Sequence, residues 1–219
     1  MTKRINQDME LFGFKMRTRR HFFDDRIIRA CLDESRDIYR MPKEPKCIID
    51  VGANIGCISL IAARRGANVF AFEPYSENYE TLKHNVEVNG YADKINCIKL
   101  GVGKPGPTKL YIHPSNSGAV SCYLNQGGLD ENVYEDIDVI SIQDVFYKYD
   151  IAYCDLLKLD CESSENDIIR DLDDRLVARI GQISLEFHDK KLIPELLEIL
   201  SKWYIPENTK RYEWTFRKK

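Results

Sequence analysis

A chain of 219 residues in which 43% are hydrophobic, 11% aromatic and 31% charged can bury a sizeable core, which excludes disorder, collagen-like repeats and low-complexity scaffolds. Its 32 basic and 35 acidic side chains leave a formal net charge of -3, so no molecule-wide field draws it onto nucleic acid, although a local basic patch is compatible with that balance. Seven cysteines, at 31, 47, 57, 97, 122, 154 and 161, are odd in number, show no CxxC spacing and have apolar neighbours, so they read as buried thiols instead of a disulfide or zinc framework.

The opening segment, MTKRINQDMELFGF, has no apolar core followed by a small-residue cleavage site, so no secretory signal and a cytoplasmic location are expected. A basic run follows, KMRTRR from Lys15 to Arg20, either a solvated segment or a phosphate-contacting patch. Residues 25–40, DRIIRACLDESRDIYR, place Ile27, Ile28, Cys31, Leu32 and Ile38 near one face of a single leading helix that stops at Met41-Pro42. From there, apolar β-rich runs alternate with helical patterns, the mark of a mostly parallel sheet covered on both faces. Strands are expected at 47–51, 68–72, 95–100, 137–142, 155–160, 182–187 and 212–216. Helices are expected at 55–65, 76–90, from 142 to about 149, and at 164–178 and 192–203. Between 101 and 135 the pattern loosens: TKLYI reads as a short strand, while HPSNSGAVSCYLNQGG from His113 to Gly128 is turn-rich and reads as a polar cover over a site. The longest charge-free stretch, Leu110 to Leu129, contains Pro114, Gly118 and Gly127 and is no membrane span. Residues 1–45 are read as an N-terminal segment with its helix and 46–219 as the main domain, together one compact unit.

In an open α/β sheet, ligands sit beyond the carboxyl ends of the strands near the reversal of strand order. The first apolar strand ends in Asp50-Val51-Gly52-Ala53-Asn54-Ile55-Gly56, where glycines admit a ligand close to the backbone ahead of a helix N-terminus. The spacing is G-x-x-x-G, unlike the G-x-G-x-x-G of a nicotinamide dinucleotide site, and the acid two residues before the first glycine suits a cationic amino acid moiety better than pyrophosphate. The second strand ends in Glu73-Pro74, placing a carboxylate where a ribose-binding acid belongs; capping of the next helix is the alternative role. Asp50 is likewise open to a purely structural hydrogen bond. Asp160, Glu162 and Glu165 follow the central strand DLLKLD, and Glu186 and His188 end SLEFHD. Asp160 or His188 reads as a general base, with a structural histidine as the alternative, and Glu165 with Asp167 as the acidic start of a helix. Strand alternation puts Glu186 on the side of His188 and Phe187 opposite.

Taken together, IIDVGANIGCISLIAARRGANVFAFEP (48–74), LLKLDCESSENDII (156–169) and SLEFHD (184–189) resemble the FkbM family of S-adenosylmethionine-dependent methyltransferases. The resemblance runs over about residues 46–203, with SNSGAVS (115–121) similar to a polar family loop. It implies the seven-stranded Rossmann-like class I methyltransferase fold and methyl transfer to a hydroxyl of a sugar, glycolipid or other small metabolite. It also implies binding of S-adenosylmethionine, with S-adenosylhomocysteine as product, by Asp50, Gly52, Asn54, Gly56, Glu73, Pro74, Gly101, Val102 and Asp160. Catalysis falls to Asp160, His188 and Glu162. A divalent cation held by Asp160, Glu162 and Glu186 is conceivable but not expected. Ser163 stands where the family stretch, usually DVEGAE, has glycine. Two rival readings are an RNA methyltransferase docked through Lys15, Arg17, Arg19 and Arg20, and a cofactor-binding scaffold without catalysis. A nucleic-acid partner is not expected, because acidic residues after the central strand disfavour a phosphate-rich chain.

Overall fold

Consecutive residues of an apolar strand point to opposite faces of a sheet, and that alternation fills two cores at once here. The computed structural model describes residues 6–19, 24–113, 120–124, 129–208 and 212–219. It opens with an antiparallel hairpin, β1 (Asn6–Leu11) and β2 (Phe14–Arg19), followed by α1 (Asp24–Leu32), β3 (Cys47–Val51), α2 (Cys57–Arg64), β4 (Asn68–Phe72) and α3 (Ser76–Val88). Next come β5 (Ile95–Ile98), β6 (Gly101–Val102), β7 (Gly106–Ile112), β8 (Val120–Ser121), β9 (Tyr134–Ile140), α4 (Ile142–Lys148) and β10 (Cys154–Leu159). The chain closes with α5 (Glu165–Arg170), α6 (Asp174–Val177), β11 (Ile180–Glu186), α7 (Ile193–Leu200), β12 (Tyr204–Asn208) and β13 (Glu213–Lys218).

Seven strands form the main sheet in the order β12-β13-β11-β10-β3-β4-β5, with parallel pairing from β11 through β5 and β13 antiparallel to both its neighbours. Ile49 and Leu157 feed the core under α4, α5, α6 and α7, whereas Ile48 and Leu156 feed the one under α1, α2 and α3. Strand order reverses between β3 and β10, so a crevice opens beyond their carboxyl ends. The loose stretch after residue 100 builds a second sheet, β6-β9-β7-β8, whose Leu110, Ile137 and Val139 pack with Tyr75. No helix among the described residues is long and apolar enough to cross a membrane.

Three local expectations are corrected. The leading helix ends at Leu32, because the Asp33 carboxylate accepts from Ser35 N at 3.2 Å and starts a short 3-10 turn, and Asp37 follows in the left-handed region. The helix expected over 164–178 is two helices, because the Asp173 side chain accepts from Leu176 N at 2.8 Å and caps a new start. The third correction is the basic run, which is not a free patch. It lies in β2, laid along α3 by an asparagine ladder: Lys15 N donates to Asn89 Oδ1 (2.9 Å), Arg17 N to Asn85 Oδ1 (2.7 Å) and Arg19 Nη1 to Asn78 Oδ1 (2.7 Å). Arg19 is 4% exposed and grips Asp24, itself fully buried, through Nε–Oδ2 at 2.9 Å and Nη2–Oδ1 at 3.0 Å. Arg20 and His21 lie outside the described residues. Removing one partner of such a buried pair strands the other charge, so Arg19→Leu should cost about 3–5 kcal/mol in urea unfolding, far more than Arg17→Leu.

Candidate active site

The end of β3 is pressed against the end of β10. Gly52 adopts φ +73°, and a Cβ there would lie 1.9 Å from the Asp160 carbonyl oxygen, so the contact requires glycine. The register of the two strands sets Lys158 opposite Asp50. Lys158 Nζ lies 3.0 Å from Asp50 Oδ1 and donates to the carbonyls of Val51 (3.1 Å) and Gly52 (2.7 Å), while Ser59 Oγ donates to Asp50 Oδ2 at 2.6 Å. Burial favours the neutral amine, but Asp50 and Asp160 overcome it and hold the ammonium charged well above the ordinary lysine range. Asp50 is fully buried and does not line the crevice.

That crevice, about 670 Å³ including its open mouth, is lined on one side by Gly52, Asn54, Glu73 and Pro74, and on another by the apolar Leu100, Val102, Leu110, Ile137 and Val139. Glu73 is 3% exposed; Oε2 accepts from Asn54 N (2.8 Å), and Oε1 from Tyr75 N (3.0 Å) and Asn78 Nδ2 (3.3 Å). Burial raises its pKa to about 7 against the pull of those three donors. Gly101 and Val102 line the crevice as expected, whereas Gly56 does not: at φ +93° it caps α2, and a Cβ there would meet Leu82 Cδ1 at 2.6 Å.

Asp160, Cys161, Glu162 and Ser164 close the remaining side. Tyr39 Oη donates to Asp160 Oδ2 at 2.7 Å, with Lys158 Nζ 4.0 Å from the same oxygen. Burial alone would raise the Asp160 pKa, but Lys158, His188 and Tyr39 together hold it below the usual carboxylate range. His188 Nε2 lies 3.6 Å from both Asp160 Oδ1 and Glu162 Oε2. Burial disfavours its imidazolium, yet the hydrogen bond to Glu165 and the surrounding carboxylates prevail and raise its pKa to about 10. An imidazole held in its charged form has no free lone pair, so this environment counts against His188 as a general base. The cation grouping read from the sequence changes membership: among the described residues, the ligand atoms of Asp160, Glu186 and His188 all fall within 4.8 Å of one another, and Glu162 is not part of that set. Phe187 turns to the core, as alternation requires.

Three residues escaped the sequence reading in whole or part. Lys158 had a signal, one charge within an apolar central strand facing another in CIIDV. Tyr39 had none, because its main-chain carbonyl is anchored across 145 residues by Ser184 Oγ at 2.7 Å. Glu165, read as a helix cap, is fully buried against His188. Of the polar cover expected over 113–128, residues 114–119 and 125–128 lie outside the described residues; in the described part, Val120 and Cys122 line the crevice and Ser121 Oγ donates to the Glu162 carbonyl at 2.7 Å.

A mostly parallel seven-stranded sheet with one antiparallel strand, and a crevice at its strand-order reversal with a carboxylate ending the second parallel strand, define the Rossmann-like class I methyltransferase fold. The methyltransferase FkbM domain matches residues 50–212, and the chain belongs to that family. It is 29% identical over 193 residues to the AMB antimetabolite synthetase AmbE of Pseudomonas aeruginosa, covering 72% of this chain and only 9% of that protein. To the 31-O-demethyl-FK506 methyltransferase FkbM of Streptomyces tacrolimicus it is 28% identical, over 65% of each chain. In backbone it is similar to the T. thermophilus 16S rRNA N2 G1207 methyltransferase RsmC in complex with AdoMet and guanosine, at a TM-score of 0.50 and 15% identity over 98% of this chain and 50% of that one. At that identity the likeness is one of fold.

Two predictions arise from the backbone and charge of this site. Ser163, at the family's glycine position, adopts φ +85°, where a side chain is strained; Ser163→Gly should raise stability by about 0.5–1 kcal/mol in urea unfolding. Because the Glu73 pKa is raised in the folded chain, folded protein binds more protons than unfolded between about 4.5 and about 7. Its stabilising contribution is complete below that window and lost as pH rises through about 7, and Glu73→Gln should flatten this part of the stability-pH curve.

Proposed function

We propose that this chain transfers the methyl group of S-adenosylmethionine to a hydroxyl of an uncharged, hydroxylated small molecule or glycan. The observation that carries the reading is Glu73, a buried carboxylate at the crevice wall with apolar surface beyond it and an acidic edge opposite. Glu73 Oε1 already has two donors, whereas Oε2 has one and keeps a lone pair that can take a ribose hydroxyl. Leu100, Gly101, Val102, Ile137 and Val139 offer an apolar wall for a purine, and Asn54, whose Oδ1 is buried without a hydrogen-bond partner among the described residues, lines the same crevice. Gly52 and Pro74 complete the wall, and Asp160 and Glu162 supply negative charge that is only partly offset by the cations beside them, His188 at 3.6 Å from both and Lys158 at 4.0 Å from Asp160 but closer to Asp50.

Bound there, the cofactor supplies an electrophilic methyl on a positive sulfonium. Asp160 reaches the crevice in ionised form and accepts from the attacking hydroxyl, aligning it and taking its proton as that oxygen gains the methyl group; its lowered pKa makes it a weak base toward the free alcohol, so its larger contribution is orientation and charge. His188, protonated, holds Asp160 and Glu162 in place. The acceptor edge is negative, which suits a neutral polyhydroxylated acceptor and repels phosphates. The RNA reading loses support from β2, where Arg19 is buried on Asp24 and Arg17 Nε lies 3.4 Å from Asp8. The scaffold reading rested on Ser163, and this serine occupies a glycine-like conformation without displacing Asp160 from the crevice.

Calorimetric titration with S-adenosylhomocysteine tests the cofactor reading: binding is expected, Glu73→Ala should weaken it by about 1–3 kcal/mol, and no heat at all would overturn the proposal. With an acceptor in hand, Asp160→Asn should lower turnover roughly 10²–10⁴-fold while changing cofactor affinity much less.

A further inference from the structure

Glu165 touches neither the crevice nor solvent. It is fully buried in the first turn of α5, yet both its oxygens are spent on the segments that carry the acidic edge. Oε1 accepts from His188 N at 3.1 Å and meets His188 Nδ1 at 3.0 Å, while Oε2 accepts from Ser163 N at 3.0 Å and lies 3.6 Å from Cys161 Sγ. One carboxylate thereby ties the end of β11 to the 160–164 loop. It also decides what the imidazole does, because a bond from Nδ1 to a buried anion leaves Nε2 as the group presented to Asp160 and Glu162.

We infer that Glu165 is a positioning residue of the methyl-transfer site, acting through His188 to hold the Asp160 and Glu162 carboxylates side by side at the crevice edge. Asp160 Oδ1 and Glu162 Oε2 each lie 3.6 Å from the same nitrogen, His188 Nε2, and an imidazole set between two carboxylates offsets their mutual repulsion when it is charged. Every other charged group near the imidazole acts on the same balance. Glu186 on β11 and Glu213, its partner across β13, add negative charge, and Lys158 and Tyr39 hold Asp160 from below. Those carboxylates favour the imidazolium only in part, whereas Glu165 contacts it directly; the His188 pKa near 10 accords with this. The site therefore depends on a cation made by a residue that the crevice never touches.

This inference rests on the methyl-transfer reading for its kinetic arm alone, so the decisive measurement is made on the protein without substrate. The imidazole signals of His188 are followed by NMR against pH in the parent, in Glu165→Gln and in Glu165→Asp. The parent should stay protonated to well above neutral pH, and Glu165→Gln should lower the midpoint by about 1–3 units, with Glu165→Asp between them. A parent midpoint near the ordinary histidine value, or a Glu165→Gln midpoint equal to the parent's, would overturn the inference whether or not the protein methylates anything. In turnover, Glu165→Gln should cost about 10–100-fold in kcat and acquire a decline with rising pH near its new His188 midpoint, while S-adenosylhomocysteine affinity stays within about twofold. Because Glu165 acts through His188, adding Glu165→Gln to His188→Gln should cost no more than about threefold further, and full additivity would count against the coupling. If Glu165→Gln fails to fold, the parent titration and Glu165→Asp carry the same test.

Discussion

The ion pair between Asp50 and Lys158 is the constraint from which the crevice follows. Both groups are buried in the two central strands, and isolated charges there would cost several kcal/mol each. They persist because the strand register puts them side by side, and because each has further partners: Ser59 on the carboxylate, the Val51 and Gly52 carbonyls on the ammonium. An ammonium that binds those two carbonyls fixes the path of the chain as it leaves β3. The Gly52 turn is thereby held against the Asp160 carbonyl, which brings the cofactor-side loop and the acidic edge into one crevice. Replacing either member alone would leave a bare charge at the strand-order reversal.

From that pair the polar network spreads in two directions. Toward the acceptor edge it passes from Lys158 to Asp160, then to His188 and Glu165, with Tyr39 supporting Asp160 from the segment that precedes β3. The charges nearly alternate in sign, so each carboxylate has a cation beside it and the edge keeps its negative surface without flying apart. On the cofactor side, the N-terminal hairpin takes part at a distance. Arg19 donates to Asn78 Oδ1, which turns the amide nitrogen of Asn78 toward Glu73 Oε1. The buried Arg19–Asp24 pair that anchors the hairpin thus also sets the donor pattern around Glu73. An element that packs like an appendage is wired into the site.

Ser163 shows how the same geometry accommodates a departure from its family. Glu162 and Ser163 both sit at positive φ, which turns the chain sharply after β10 and sends Glu162 back to the crevice. Glycine is the unstrained residue for such a turn. Serine is held there because Glu165 accepts from its N–H and because Ser121 in β8 ties down the neighbouring Glu162 carbonyl. The strain is thus offset locally by hydrogen bonds, and the acidic edge keeps its shape.

Strand and helix order through 47–98 and 137–200 could be read from apolar periodicity, because each element there buries a continuous face and period reports burial directly. Glu73 and Asp160 were legible for a related reason: a carboxylate ending a buried parallel strand is placed at the crevice by topology alone. The hairpin Asn6–Arg19 was not, because what makes it a strand pair is a ladder of asparagines on α3, some 70 residues away, and no local pattern in KMRTRR encodes that. The break at Asp173 was hidden because a cap and an interior acid look alike until the helix is seen to restart. Asp50 read as a ligand group from its place beside Gly52, and only the register with β10 revealed Lys158 as its partner. The same holds for His188 and Glu165, whose residue types were visible but whose protonation and roles depend on a contact between the ends of separate elements. Sequence alone determined the alternation of strands and helices in the main sheet and which end of that sheet carries chemistry, since both follow from local burial and chain direction. Tertiary structure alone decided which charges neutralise one another, because that depends on distances between residues the chain keeps far apart.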